Sequence, residues 1–216
     1  MRIFIGTDPR QPVAWVVLAN SIARHSSIPV EITPLVLKQL PITRRGLTEF
    51  TYSRFLVPYL CKFMGRALFL DADMIVTGDI AELANDLTDC KSSVRVMQEQ
   101  ERFEWPSMQL FNCYNCQMLT PDYVQNQANS LFDLAWCDHG VGLLPNEWNR
   151  VCGYGDKRTD GKLYHFTRGL PIWPQTMNEN GTPQDKLWMK ECKIAVSSCS
   201  YADLMGGSIH NQRKAS

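Results

Sequence analysis

The chain lacks a charge excess of either sign: 22 Lys and Arg balance 22 Asp and Glu over 216 residues. No global field therefore draws it to nucleic acid or to an anionic membrane. It also lacks any apolar run long enough to span a bilayer. Its first eight residues enter a strand-like run directly and are too short for the apolar core of a signal peptide, so the expected location is cytoplasmic. There is no internal repeat, no low-complexity segment and no Gly-rich signature after the first strand. Although the chain has eight cysteines, only Cys113 and Cys116 stand at metal-ligand spacing, and no second such pair completes a zinc ribbon. The cysteines are expected to be free thiols in a reducing compartment. One domain over residues 1–216 is expected from the length.

What is present is a repeated strand–helix pattern. Residues 2–7 read as a strand, Gln11–His25 as an amphipathic helix, and 29–36 as a second strand with period-two alternation. Residues 37–48 are irregular, and Phe50–Met64 reads as a helix. Arg66–Leu70 is continuously apolar, as a buried parallel strand should be, and Asp79 offers an N-cap for the residues after it. Ser93–Met97 and Met108–Asn112 are further strands, the latter expected to end with Asn112 in the ligand crevice. Pro121–Trp136 reads as a helix, with 98–106 and 153–161 as surface loops. The alternation predicts an α/β fold with a mostly parallel sheet and helices on both faces.

The most informative segment is Phe69-Leu70-Asp71-Ala72-Asp73. Two carboxylates follow a buried strand, at the sheet edge where open α/β folds bind ligands. Hard oxygen ligands there suit Mg²⁺ or Mn²⁺ carrying a polyphosphate, whereas Zn²⁺ more often takes His or Cys. An Asp-rich turn after a strand is also a common purely structural feature.

Six strings in order resemble the retaining glycosyltransferases of the family 8 type, which have a GT-A fold. They are Ile5-Gly6-Thr7-Asp8, Tyr52-Ser53-Arg54-Phe55-Leu56-Val57-Pro58, Leu70-Asp71-Ala72-Asp73, Phe111-Asn112, Asp138-His139-Gly140, and the run from His165 to Trp173. Leu110–Cys113 and Leu119–Val124 are similar to strings of short bacterial and phage members. The motifs cover residues 1–173 and leave 174–216 as an extension without an assigned role.

The resemblance implies a hexose transferred from a nucleotide-diphosphate sugar, a UDP-sugar first, to an acceptor hydroxyl with retention of configuration. It implies Asp71, Asp73 and His165 as ligands of Mn²⁺ or Mg²⁺, the imidazole favouring Mn²⁺. Thr7, Asp8, Arg54, Ala72, Asn112, Arg168 and Gly169 would contact the donor, with Asp8 on the base and Asn112 on a sugar hydroxyl. Asp138 and His139 would face the reacting carbon. The family's Lys before Pro-Trp is missing, and Arg168 or Lys162 would replace it. The acceptor stays open among a saccharide, a protein side chain and a modified DNA base, with nucleic acid entering only as acceptor. Trp105, Trp136, Trp148 and Trp173 are candidate stacking surfaces for a sugar ring. Rival readings are a haloacid-dehalogenase-like phosphatase, whose first motif is also Asp-x-Asp after a strand, a nucleotidyltransferase, and a sugar-nucleotide-binding module without turnover.

Overall fold

The computed structural model describes residues 1–85, 91–97, 106–153, 158–172 and 181–197. Residues 98–105 of the expected loop 98–106, including Trp105, residues 154–157 of the loop 153–161, and Trp173 lie outside those residues.

The chain begins with β1 (Arg2–Gly6), α1 (Pro12–His25) and β2 (Glu31–Leu35), followed by α2 (Phe50–Ser53), α3 (Val57–Leu60), β3 (Arg66–Leu70), β4 (Met74–Val76) and α4 (Ala81–Asn85). It continues with β5 (Val94–Val96), β6 (Met108–Asn112), α5 (Pro121–Gln125), β7 (Val141–Leu143), β8 (Arg150–Val151), β9 (Leu163–His165) and α6 (Pro183–Val196). Six strands form one sheet in the order β2-β1-β3-β6-β5-β7, and β4, β9 and β8 form a second.

Strict alternation along the central strands divides the core between the two faces of the large sheet. Ile3, Ile5, Leu68 and Leu70 pack with Val17, Leu18 and Ile22 of α1. Phe4, Ala67, Phe69 and Phe111 point the other way, onto Phe50, Phe55, Leu56 and Val57. This is the period of two expected of strands covered on both sides. Gly6 has a steric reason: a Cβ there would lie 2.4 Å from Cγ of Phe50.

Two expectations about elements are corrected. The segment 50–64 is broken: α2 passes through a 3₁₀ turn at Arg54–Leu56 into α3, which opens on Val57-Pro58. Proline has no N–H to continue the ladder, so the pieces are short. The segment 121–136 is helical only to Gln125, after which turns carry Leu131, Leu134 and Trp136 into the core.

The sheet is also more mixed than expected. β1 is parallel to β2 and β3, and β5 to β7, but β6 is antiparallel to both β3 and β5. Leu70 therefore faces Met108, and Arg66 faces Asn112. Asn112 lies at the end of the sheet opposite Asp71, which corrects its expected place in the crevice.

The helix α6 belongs to the region without an assigned role. Thr182 and Asp185 form a reciprocal capping box, with Pro183 in the first turn. Gln184, Trp188 and Glu191 are its buried stripe, and Glu191 pairs with Arg24 of α1. Thr182→Ala removes the cap and should lower stability by about 1 kcal/mol in urea unfolding. An unchanged midpoint would show that packing on α1 alone sets the start of this helix.

Candidate active site

The carboxyl ends of β1 and β3 lie side by side, with Ile5 opposite Leu70. Asp8 and Asp71, which follow these strands, therefore share one edge. A backbone N–H of Asp71 donates to the Ser107 carbonyl at 2.9 Å, extending the β3–β6 ladder by one bond and fixing the turn. In the second sheet Met74 faces His165, and Phe166 N–H donates to the Asp73 carbonyl at 2.8 Å. The antiparallel register thus brings a histidine from 92 residues downstream onto the Asp71-Ala72-Asp73 turn.

One ligand atom each from Asp71, Asp73 and His165 lie within 4.8 Å of one another, the one such cluster of three or more found among the described residues. His165 Nε2 stands 3.3 Å from Oδ1 of Asp73, a buried oxygen. Burial pushes the Asp73 carboxyl up, but the facing His165 charge and hydrogen bonding outweigh it, so Asp73 titrates below the ordinary carboxylate range. Two carboxylates and one imidazole converging at this spacing fit a divalent cation, and the nitrogen suits Mn²⁺.

Arg54 is part of this construction. Its guanidinium lies 3.0 Å from Asp71 Oδ1, donates to the Pro106 carbonyl at 2.8 Å and the Phe50 carbonyl at 3.2 Å, and stacks 5.0 Å from the Phe69 ring centroid. Its expected partner was a phosphate; the residue it holds in this structure is a metal-ligand candidate.

A cavity of about 420 Å³ opens in front of the turn, lined among others by Asp8, Arg10, Ala72, Asp73, Arg168 and Gly169. Gly169 sits at φ +112° in the turn that presents Arg168, a conformation that glycine adopts without penalty. Arg168 donates to the Gly153 carbonyl at 2.8 Å. Lys162, the other candidate for the missing lysine, is instead paired with Glu82 and Glu147. A second cavity of about 390 Å³ shares Asp8 and is lined by Thr7, Trp15, Pro34 and Lys38. Thr7 is fixed there by its hydroxyl, which donates to the Leu35 carbonyl at 2.6 Å.

Asp8, expected on the base of the donor, lines both cavities and is held by Arg10. Its carboxylate accepts from the Arg10 backbone N–H and Nε at 2.9 Å, and its other oxygen lies 2.5 Å from Nη2. The hydrogen bond from the Arg10 side chain, above all, holds the Asp8 carboxyl below its usual range. Arg10, which sequence reading did not single out, is the group that Asp8 orients at the cavity wall.

Asp138 and His139 are not in the site. They are exposed and precede β7, where Gly140 carbonyl accepts from Ser93 N–H at 3.0 Å and Asn112 N–H donates to Ser93 carbonyl at 3.0 Å. Since β7 is parallel to β5 and β5 antiparallel to β6, this turn lies with Asn112 at the far end of the sheet. The resemblance matched the letters of the motif, but strand direction decides which end reaches the crevice. Asp138→Asn should change donor turnover less than about 2-fold, as expected of an exposed group away from the chemistry. A large loss would place this turn at the reacting carbon after all.

The residues on the crevice side of the same elements are Ser107, at the start of β6, and Asn149, beyond β7. Asn149 Nδ2 donates to Ser107 Oγ at 2.9 Å, and both residues are buried. Trp136 and Trp148 are each 1% exposed, so neither offers a stacking face. Cys113 and Cys116 are buried free thiols. The hydrogen bond that Cys113 donates to Cys61, together with burial, pushes the Cys113 thiol up, and burial does the same to Cys116.

Known proteins resemble the chain in both sequence and fold. It is 35% identical to Protein CDI of Arabidopsis thaliana, with 79% of this chain and 78% of the plant protein covered. Its fold matches the galactosyltransferase LgtC, crystallised with donor and acceptor sugar analogs, at a TM-score of 0.58 and 11% identity, over 94% of this chain and 99% of LgtC. It also matches the bifunctional glycosyltransferase WbbM at a TM-score of 0.57 and 17% identity, over 88% of this chain. The chain spans about half of WbbM, 51% of its length. These likenesses show an α/β, GT-A-like fold. The model of the family described as "Glycosyl transferase family 8" matches residues 10–129, and the chain belongs to that family.

Proposed function

We propose that the protein transfers a hexose from a nucleotide-diphosphate sugar, a UDP-sugar first, to an acceptor hydroxyl with retention of anomeric configuration. The observation that carries this reading is the convergence of Asp71, Asp73 and His165 beside a cavity walled by Arg10 and Arg168. The barrier to glycosyl transfer lies in the charge that gathers on the departing diphosphate as the anomeric C–O bond breaks. A divalent cation held by Asp71, Asp73 and His165 would neutralise that charge.

The chain's own cations act in the same direction. Arg10 and Arg168 offer guanidinium groups suited to forked contacts with phosphate oxygens, and Arg168 takes the role of the missing lysine. Arg54 orients Asp71. Of the carboxylates lining the cavity, Asp8 is paired with Arg10 and Asp73 faces His165. This suits attack on the same face as the leaving group: the acceptor oxygen bonds to the anomeric carbon, the bond to the diphosphate breaks, and the acceptor proton passes to a departing phosphate oxygen.

The test is to incubate the protein with UDP-, GDP- and dTDP-sugars and Mn²⁺, and to measure release of nucleoside diphosphate. Metal-dependent release from one donor is expected. Silence with every donor, together with phosphate release from simple phosphoesters, would replace the transferase reading with the phosphatase one.

A further inference from the structure

A further cavity, of about 470 Å³, shares no residue with the one in front of the Asp71-Ala72-Asp73 turn. It lies between the irregular segment before α2 and the end of α5, and Tyr52 of α2 forms part of its wall. Among the described residues that line it are two arginines, Arg44 and Arg45, and no carboxylate; the others are Thr43, Tyr52, Gln125 and Gln127.

Arg44 is built into place. The last carbonyls of a helix have no partner inside it, and Arg44 Nη1 meets that need at the end of α5, donating to the Val124 and Asn126 carbonyls at 3.0 and 2.8 Å. Its guanidinium carbon sits 3.9 Å from the centroid of the Tyr52 ring, and that ring is held edge-on against Phe132. Gln125 Oε1 accepts from the Thr43 and Arg44 backbone N–H groups at 2.7 and 3.0 Å, which leaves its Nε2 as a donor. Nε and Nη2 of Arg44, and the whole guanidinium of Arg45, have no hydrogen-bond or ion-pair partner among the described residues.

The groups left over select the ligand. Neighbouring cations without a countercharge repel one another, and an anion between them removes that repulsion. A carboxylate carries one charge and is satisfied by a single planar fork. A phosphate group carries close to two charges and three strong acceptor oxygens, which matches two guanidinium groups and an amide N–H arriving from different directions. The volume falls within the range of about 300–1,000 Å³ typical of small-molecule sites, with room for whatever the phosphate is attached to. We propose that the Arg44 and Arg45 cavity binds a phosphate group, free or carried by a small molecule, at a site separate from the donor cavity. Arg45 also lines the 390 Å³ cavity that Asp8 borders, so the two meet at one side chain, whereas Arg44 lines neither cavity beside Asp8. The site does not depend on the transferase reading.

Titration calorimetry on the full chain without metal would compare inorganic phosphate, glucose 6-phosphate and acetate, for the wild type, Arg44→Gln, Arg45→Gln and Arg168→Gln. Both phosphate compounds are expected to bind the wild type, and acetate is not. Arg44→Gln and Arg45→Gln should each weaken that binding by about 10-fold or more, the worth of a hydrogen bond to a charged group. Arg45 is exposed and anchors nothing, so Arg45→Gln carries the test even if Arg44→Gln fails to fold. Arg168→Gln, in the donor cavity, should leave a phosphate-binding step at wild-type affinity. Tighter binding of glucose 6-phosphate than of phosphate identifies a carried group and the reverse identifies the free ion; both support the site. Binding that is lost in Arg168→Gln and kept in Arg45→Gln moves the phosphate to the donor cavity and overturns the proposal. Equal affinity for acetate overturns it as well, and so does the absence of any phosphate binding in the wild type.

Discussion

Asp71→Asn and Asp73→Asn are each expected to lower metal-dependent release of nucleoside diphosphate by about 10²–10³-fold or more, the scale on which a group stabilising transition-state charge acts. Asparagine keeps the shape of the turn and removes the anionic oxygen. The Asp71 and Asp73 side chains are 13% and 25% exposed, and both turns are held by backbone bonds, to Ser107 and Phe166. The fold should therefore survive. Mn²⁺ titration followed by electron paramagnetic resonance gives a readout independent of turnover, and the high-affinity signal should disappear in both variants. Retained Mn²⁺ affinity with lost turnover would mean that these carboxylates act on substrate and not on a cation.

The first half of the fold and the Asp71-Ala72-Asp73 turn were legible in the sequence because local pattern and motif agree there. Ile3, Phe4 and Ile5 alternate between two cores, and Asp71 follows a strand that is apolar throughout. His165 could be named only through the family string, since its arrival at Asp73 depends on β4 pairing with β9, and three-residue strands carry little signal. Asn112, Asp138 and His139 were misplaced for one shared reason. The direction of β6 relative to β3 is a property of the connection between them, not of the five residues Met108–Asn112. Once β6 runs antiparallel, its first residue faces the crevice and its last does not. The helix α6, by contrast, was readable: Thr182-Pro183-Gln184-Asp185 spells a capped start, and it was passed over because no family motif reached it.

Arg54 carries the second large effect, and it should appear in stability as well as in metal binding. Arg54 and Asp71 form a nearly buried pair, with side chains 8% and 13% exposed. Removing one partner leaves the other as an uncompensated charge, which typically costs about 3–5 kcal/mol for a buried pair. Arg54→Met keeps the length of the stem over Phe69 and Phe50 while removing the charge, so the loss in urea unfolding should fall toward the lower end of about 3 kcal/mol. Mn²⁺ affinity should fall by about 10–100-fold, as when a partner that orients a metal ligand is lost. Arg54→Lys should recover little, because one ammonium cannot reach Asp71 and the Pro106 and Phe50 carbonyls together. The double variant Arg54→Met/Asp71→Asn decides between roles. If Arg54 acts through Asp71, the double variant is more stable than Arg54→Met alone, since no charge is left unpaired, and the coupling exceeds the roughly 0.5 kcal/mol of independent sites. Additive losses would instead assign Arg54 to its carbonyl and aromatic contacts, and leave its guanidinium free to meet the donor phosphates.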